Sequence, residues 1–184
     1  MNNYDYRVNL VDDYLKKLNL SNEIKEYYYG RNILVTGGAG AIGSNLVTAL
    51  SKLVGDDGMI IVLDNLSAIK GDEPIDLPPL PNMMFVNGDV RNDIDLKRVF
   101  RERPTIVFHL AAFFANQNSV DYPETSADVD IQGMIKLLDL AQFTDVDKFI
   151  YASSGCAIYG SYGKMPLKED FISMHLTTPY QINK

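Results

Sequence analysis

Residues 32 to 50 read NILVTGGAGAIGSNLVTAL: an unbroken apolar run, a turn with glycines at 37, 38, 40 and 43, then apolar residues at helical spacing. This order constrains the fold more than any other stretch of the chain. A strand buried on both faces reads as a continuous apolar run, and a helix entered from it through glycines must pack back against it. Gly37, Gly40 and Gly43 fit GxxGxxG, while Gly38, Gly40 and Gly43 also fit GxGxxG. Between a strand and a helix such a turn has a mechanism. Gly37 and Gly40 let backbone approach a pyrophosphate, and Gly43 lets the helix pack tightly. The helix start offers free N–H groups and a positive dipole end.

From Arg31 onward short apolar runs alternate with longer periodic ones, the signature of an α/β fold with a doubly wound parallel sheet. The spacing predicts strands at 32–36, 59–64, 84–86, 105–110 and 148–152. Helices are expected at 41–53, 93–101 and 126–143, with another beginning at Pro179, a residue suited to a first helical turn. The segment GDEPIDLPPLPNM carries four prolines between Pro74 and Pro81 and reads as a surface loop. Ahead of this, Val11, Tyr14, Leu15 and Leu18 fall at helical spacing, so residues 1–30 read as a helical extension and 31–184 as one nucleotide-binding domain.

Bulk properties narrow the function. Lys plus Arg total 17 against 24 Asp plus Glu, a net charge of −7 with no basic cluster, which argues against nucleic acid as a partner. No stretch approaches the roughly 18 apolar residues of a membrane span, and the N-terminus lacks a signal-peptide pattern, so a cytoplasmic location is expected. One cysteine, Cys156, and two separated histidines, His109 and His175, leave no metal cage to build.

Asp64 ends the second expected strand 21 positions after Gly43. An acid at about 20 positions can hold an adenosine ribose, and a carboxylate there repels a 2′-phosphate, favouring NAD over NADP. Asp89 and Val90, in GDVRN after the third strand, are placed to meet an adenine, although Asp89 could equally cap the next helix. Tyr180 and Lys184, at i and i+4, share a helix face. Ser154 lies 26 residues before Tyr180 in the hydroxyl-rich YASSGCAIYG. Serine, tyrosine and lysine beside a dinucleotide suggest hydride transfer from a carbinol carbon, the phenol carrying the hydroxyl proton. Lowering a phenol from near 10 to about 7 takes roughly 4 kcal/mol, which an adjacent ammonium and a positive nicotinamide ring can supply.

TGGAGAIGS, LDNLS, GDVRN, HLAA, SSGCAIYG and YQINK, in this order, resemble the extended short-chain dehydrogenase/reductases, the NAD-dependent nucleotide-sugar epimerases and dehydratases. The chain looks most like the UDP-glucose 4-epimerase type from about Arg31 to Lys184. The resemblance implies a Rossmann-type fold and reversible hydride transfer through a 4-keto nucleotide sugar, UDP-hexose above all. It implies NAD contacts from Gly37, Gly40, Ala41, Ile42, Gly43, Asp64, Asn65, Ser67, Asp89, Val90, Ala111 and Ala112. Ser154 would hold the sugar hydroxyl and Tyr180 would act as acid/base. Lys184 would bind the nicotinamide ribose and lower the phenol's proton affinity. Ser119 would lie at the substrate edge, His109 would be structural, and a homodimer would form, with 126–143 a candidate contact helix.

Three departures qualify the likeness. The loop after the fifth strand is one residue longer than the commonest form, leaving Ser153 as an alternative to Ser154. Asp130 stands where the family usually has asparagine. The family normally continues far beyond its lysine, so the chain is expected to lack the C-terminal substrate-binding part. Gly155 and Cys156 replace the acidic residue usual in dehydratases. Ser154 and Cys156 resemble a GDP-fucose synthase pair, but those reductases use NADP. Cys156 reads otherwise as a small buried residue. A family dehydratase or reductase, and a non-catalytic NAD-binding regulator, stand as alternative readings.

Overall fold

The computed structural model describes residues 3–68, 75, 77–160 and 164–184. Its frame is a parallel sheet of β1 (Asn32–Thr36), β2 (Met59–Asp64), β3 (Met83–Asn87), β4 (Ile106–His109) and β5 (Lys148–Tyr151), in the order β3-β2-β1-β4-β5. The chain winds one way from β1 to β3, then returns to place β4 on the other side of β1. That reversal opens a crevice at the carboxyl ends of β1 and β4, where doubly wound folds bind ligands.

Alternation along β1 explains the two-sided burial. Ile33 and Val35 join Ile60 and Val62 in a core with Val47, Leu50 and Val54 of α3 (Ala41–Val54). Leu34 points the other way, joining Ile61, Leu63 and Val107 against two further helices. These are α4 (Asp93–Phe100), with Leu96, Val99 and Phe100, and α7 (Gly133–Phe143), with Leu137 and Ala141. Both faces are covered, so each strand reads as apolar throughout.

The N-terminal segment forms two helices, α1 (Asn3–Leu18), which carries Val11, Tyr14, Leu15 and Leu18, and α2 (Asn22–Tyr28), which those four residues do not announce. Ser21 caps α2 by accepting the Ile24 N–H at 3.3 Å, a signal present in the sequence. α1 lies on α3, with Arg7 donating to Ser44 Oγ at 2.8 Å and Asp12 paired to Lys52 at 3.3 Å.

Two expectations need adjusting. The proline-rich loop is irregular over 77–80, but Leu77 is buried in the α3-side core, so it covers the sheet as well as lying on the surface. Residues 71–74 and 76 of that loop lie outside the described residues. The helix expected at 126–143 is three pieces: α6 (Pro123–Ala127), a π-helical turn at Asp128–Gln132, and α7. The short α5 (Asn116–Asp121), α8 (Gly155–Tyr159) and α9 (Pro179–Asn183) complete the described elements. Among the described residues no helix is long and apolar enough to cross a membrane.

Candidate active site

The turn from β1 into α3 shows which glycines the chain itself requires. A Cβ on Gly43 would stand 2.2 Å from Gly37 O and 2.7 Å from Gly38 Cα, so this position must be bare for α3 to pack. Gly37 has φ +70°, and its Cβ would meet Ala111 N at 2.7 Å, so the turn is pressed against the loop after β4. Gly40 differs. Among the described residues its Cβ would meet only Gly37 O, at 3.4 Å, which is ordinary contact. Gly40 therefore faces open space, as a backbone that must admit a ligand does. It is also the N-cap of α3 and supplies no side-chain cap, while Ala41 and Ile42 beyond it are exposed. The start of a 14-residue helix is thus left accessible to an anion.

Asp64 sits at the end of β2 beside this turn. Its Oδ2 accepts the Ala39 N–H at 2.9 Å and its Oδ1 the Leu66 N–H at 2.8 Å, so the carboxylate ties the glycine turn to the loop after β2. Asn65 and Ser67 are exposed on that loop. Asn65 Nδ2 donates to Asp89 Oδ2 at 2.9 Å, joining the loops after β2 and β3. Arg91 grips the same carboxylate through Nε and a terminal nitrogen, at 2.9 and 2.8 Å, and these bonds hold the Asp89 carboxyl down at about 2. The Val90 side chain is buried in the core, leaving its backbone as the part able to meet a ligand.

Across the crevice the loop after β4 is held by Thr36. Its Oγ1 accepts the Ala111 N–H at 3.3 Å and lies 2.6 Å from His109 Nδ1. His109 is fully buried, stacked on Tyr151 at 5.6 Å, and burial, followed by the charge of Lys184, keeps its imidazole neutral down to about 4. Ala111 and Ala112 are half-buried on the loop that follows.

α9 brings in the remaining residues. Thr178 caps it, accepting the Gln181 N–H at 3.3 Å and donating to Asn116 Oδ1 at 3.1 Å. Tyr180 is buried, edge-on to Phe114 at 6.0 Å, and its N–H donates to Ser119 Oγ at 3.0 Å. The Ser119 hydroxyl in turn donates to Asn116 O at 2.7 Å. Expected at the substrate edge, Ser119 is fully buried here and its bonds fix the start of α9. Lys184 Nζ lies 4.3 Å from the centre of the Tyr151 ring and donates to no acceptor among the described residues. Ser154 is half-buried and leads into α8, which packs against α9, whereas Ser153 is exposed. The Cys156 side chain lies outside the described residues.

The structure therefore packs α8, which follows Ser154, against α9, which carries Tyr180, and sets Lys184 on Tyr151 of β5, while the glycine turn and Asp64 lie at the carboxyl ends of β1 and β2. Thr36, Asn116, Ser126 and Thr178 position them without having been singled out from the sequence. Only Thr178 carried a readable signal, as a capping residue ahead of proline.

Residues 33–184 match the model of the NAD dependent epimerase/dehydratase family. The chain belongs to that family. A putative UDP-glucose 4-epimerase of Methanocaldococcus jannaschii is 37% identical over 153 residues, 83% of this chain and 47% of that protein. An epimerase structure from Methanothermobacter thermautotrophicus is 48% identical with a TM-score of 0.80, covering 88% of this chain and 46% of that one. The UDP-glucose 4-epimerase of Thermotoga maritima, solved with UDP-glucose, is 40% identical with a TM-score of 0.71, covering 83% and 47%. The chain spans about half the length of the curated relatives it matches.

Proposed function

We propose that this chain is the NAD-binding and proton-transferring part of a nucleotide-sugar 4-epimerase acting on a UDP-hexose. The observation that carries the reading is the uncapped helix start behind Gly40, which suits a pyrophosphate, in a chain that also carries Tyr180 on α9 and Lys184 just after it. The residues fit the cofactor. The α3 N-terminus and Gly40 suit a pyrophosphate, Asp64 the adenosine ribose, and Lys184, with its Nζ donors unspent on the described protein, the nicotinamide ribose. Bound there, NAD supplies a reversible acceptor for hydride from the sugar carbon.

The chain's residues handle the proton. Ser154 holds the sugar hydroxyl and Tyr180 takes its proton and returns it. Lys184 steadies the phenolate by charge at the moment it forms. Buried Tyr180 has its backbone fixed by Ser119, so the phenol is oriented before substrate arrives. Dimerisation through α7 is part of the proposal: Ile135, Leu138 and Phe143 expose apolar surface along it.

The test is mass spectrometry of the protein under non-denaturing conditions, followed by a panel of UDP-, GDP- and dTDP-sugars. NAD retained by the protein, with C4 interconversion confined to UDP-hexoses, is the expected result. Tyr180→Phe then lowers turnover by about 10²–10⁴-fold with NAD still bound. A protein that neither retains nor binds NAD refutes the reading.

A further inference from the structure

Asp130 is a buried carboxylate inside the π-helical turn, with only 3% of its surface exposed. Its Oδ1 accepts the Phe113 N–H at 2.8 Å, and its Oδ2 accepts the Ser126 hydroxyl at 3.0 Å. Ser126 Oγ in turn accepts from Asn183 Nδ2 at 3.0 Å, on the residue next to Lys184. Every bond in this chain runs toward the carboxylate. An amide in its place would offer one acceptor oxygen instead of two, so either the Phe113 N–H or the Ser126 hydroxyl proton would lose its acceptor.

These partners are neutral, and a carboxylate this deeply buried calls for a cation. Lys184 supplies one. Its ammonium lies over the Tyr151 ring, and the residue before it, Asn183, bonds the same Ser126 hydroxyl that Asp130 holds, without a direct ion pair among the described residues. Three elements thus converge on one charge: the loop after β4 through Phe113, α6 through Ser126, and α9 one bond further out through Asn183.

We propose that Asp130 is a positioning residue, the buried counter-ion that holds Lys184 as an ammonium against Tyr151 and locks α9 to the π-helical turn. What this does for Tyr180 rests on the functional reading above; the charge pairing itself does not. Burial pushes the Asp130 carboxyl up and Lys184 back down, and each charge pulls the other toward its ionised form. The other groups around the pair are Tyr151 on β5, pushed up to about 12 by burial and then by Asp130, Tyr180 on α9, and neutral His109 on β4.

Reductive ¹³C-methylation of the lysines, with Lys184 assigned by its loss in Lys184→Met, reads the ammonium directly. In Asp130→Asn its midpoint falls by about one pH unit relative to the parent chain. An unmoved midpoint overturns the proposal. Should Asp130→Asn fail to fold, the reciprocal measurement decides: in Lys184→Met the ¹³C carboxyl of Asp130 titrates higher by the same amount, since the coupling is mutual. A carboxyl that stays put overturns it equally. NAD titration of the unmodified parent chain separates the two readings. NAD binding with unmoved midpoints removes the pairing alone, whereas shifted midpoints without NAD binding sustain the pairing and remove the functional reading.

Discussion

Replacing Gly40 and Gly43 separately by alanine divides the glycine turn into a part that serves the fold and a part that serves a ligand. At Gly43 the added carbon falls 2.2 Å from Gly37 O and 2.7 Å from Gly38 Cα, both backbone, so neither can rotate away. Overpacking of this kind costs about 1–3 kcal/mol, and the gain of roughly 1 kcal/mol from alanine's helix propensity offsets only part of it. The net expectation is a loss of up to about 2 kcal/mol, with α3 displaced from the turn. At Gly40 the nearest described atom is 3.4 Å away and the backbone has φ −74° and ψ 173°, which alanine adopts freely. A poorer N-cap costs about 1 kcal/mol, and a less flexible unfolded chain returns about 0.4–1 kcal/mol, so stability stays within about 0.5 kcal/mol. If Gly40 holds the pyrophosphate as proposed, a methyl group there intrudes on it and NAD affinity falls by about tenfold or more, equivalent to roughly 1.4 kcal/mol. Urea unfolding and calorimetric NAD titration on both variants measure the two quantities. Equal destabilisation of the two variants, or unchanged NAD affinity in Gly40→Ala, refutes the division.

Asp64→Ala removes the acceptor for both Ala39 and Leu66 N–H groups. It should cost about 1–3 kcal/mol in urea unfolding and narrow any preference for NAD over NADP measured by titration. His109 is held below its unfolded value of 6.5, at about 4, chiefly by burial. The unfolded chain therefore binds the extra proton first, and stability falls as pH drops from about 6.5 toward 4. His109→Gln flattens that limb in pH-dependent unfolding. Asp89, lowered to about 2 chiefly by Arg91, contributes above its unfolded value of 3.8 and loses that contribution as pH falls toward 2. With Arg91 partly solvent-screened, Arg91→Met removes about 1 kcal/mol of this at pH 7 and little at pH 2, read by urea unfolding at both pH values.

The sheet and the glycine turn were legible because their signals are local. The strands at 32–36 and 59–64 fall where their apolar runs lie, and Asp64 closes the second as its spacing suggests. The short helices were not legible. NQNSVD of α5 has no apolar face to announce it; what holds it is Ser119 bonded to Asn116 and Tyr180, and Thr178 bonded to Asn116, partners about sixty positions away in the chain. α2 did carry a cap at Ser21, with Ile24, Tyr27 and Tyr28 at helical spacing behind it, and could have been found.

The π-helical turn shows why the candidate site was only half readable. Residues 126–143 have the periodicity of one helix, and nothing in their order marks the extra residue accommodated at 128–132. The partners of this turn lie elsewhere: a Phe113 N–H presented by the loop after β4 meets Asp130, and an Asn183 amide presented by α9 meets Ser126. A motif records which residues perform chemistry, because those must be of one type at one spacing. The groups that hold them need only supply a donor or a charge at a point in space, and distant parts of the chain can do so. Tyr180 and Lys184 were therefore visible as a pair, while Asp130 stood out in the sequence only as a departure from asparagine, and its partners emerged once the loop after β4, α6 and α9 had been folded around it.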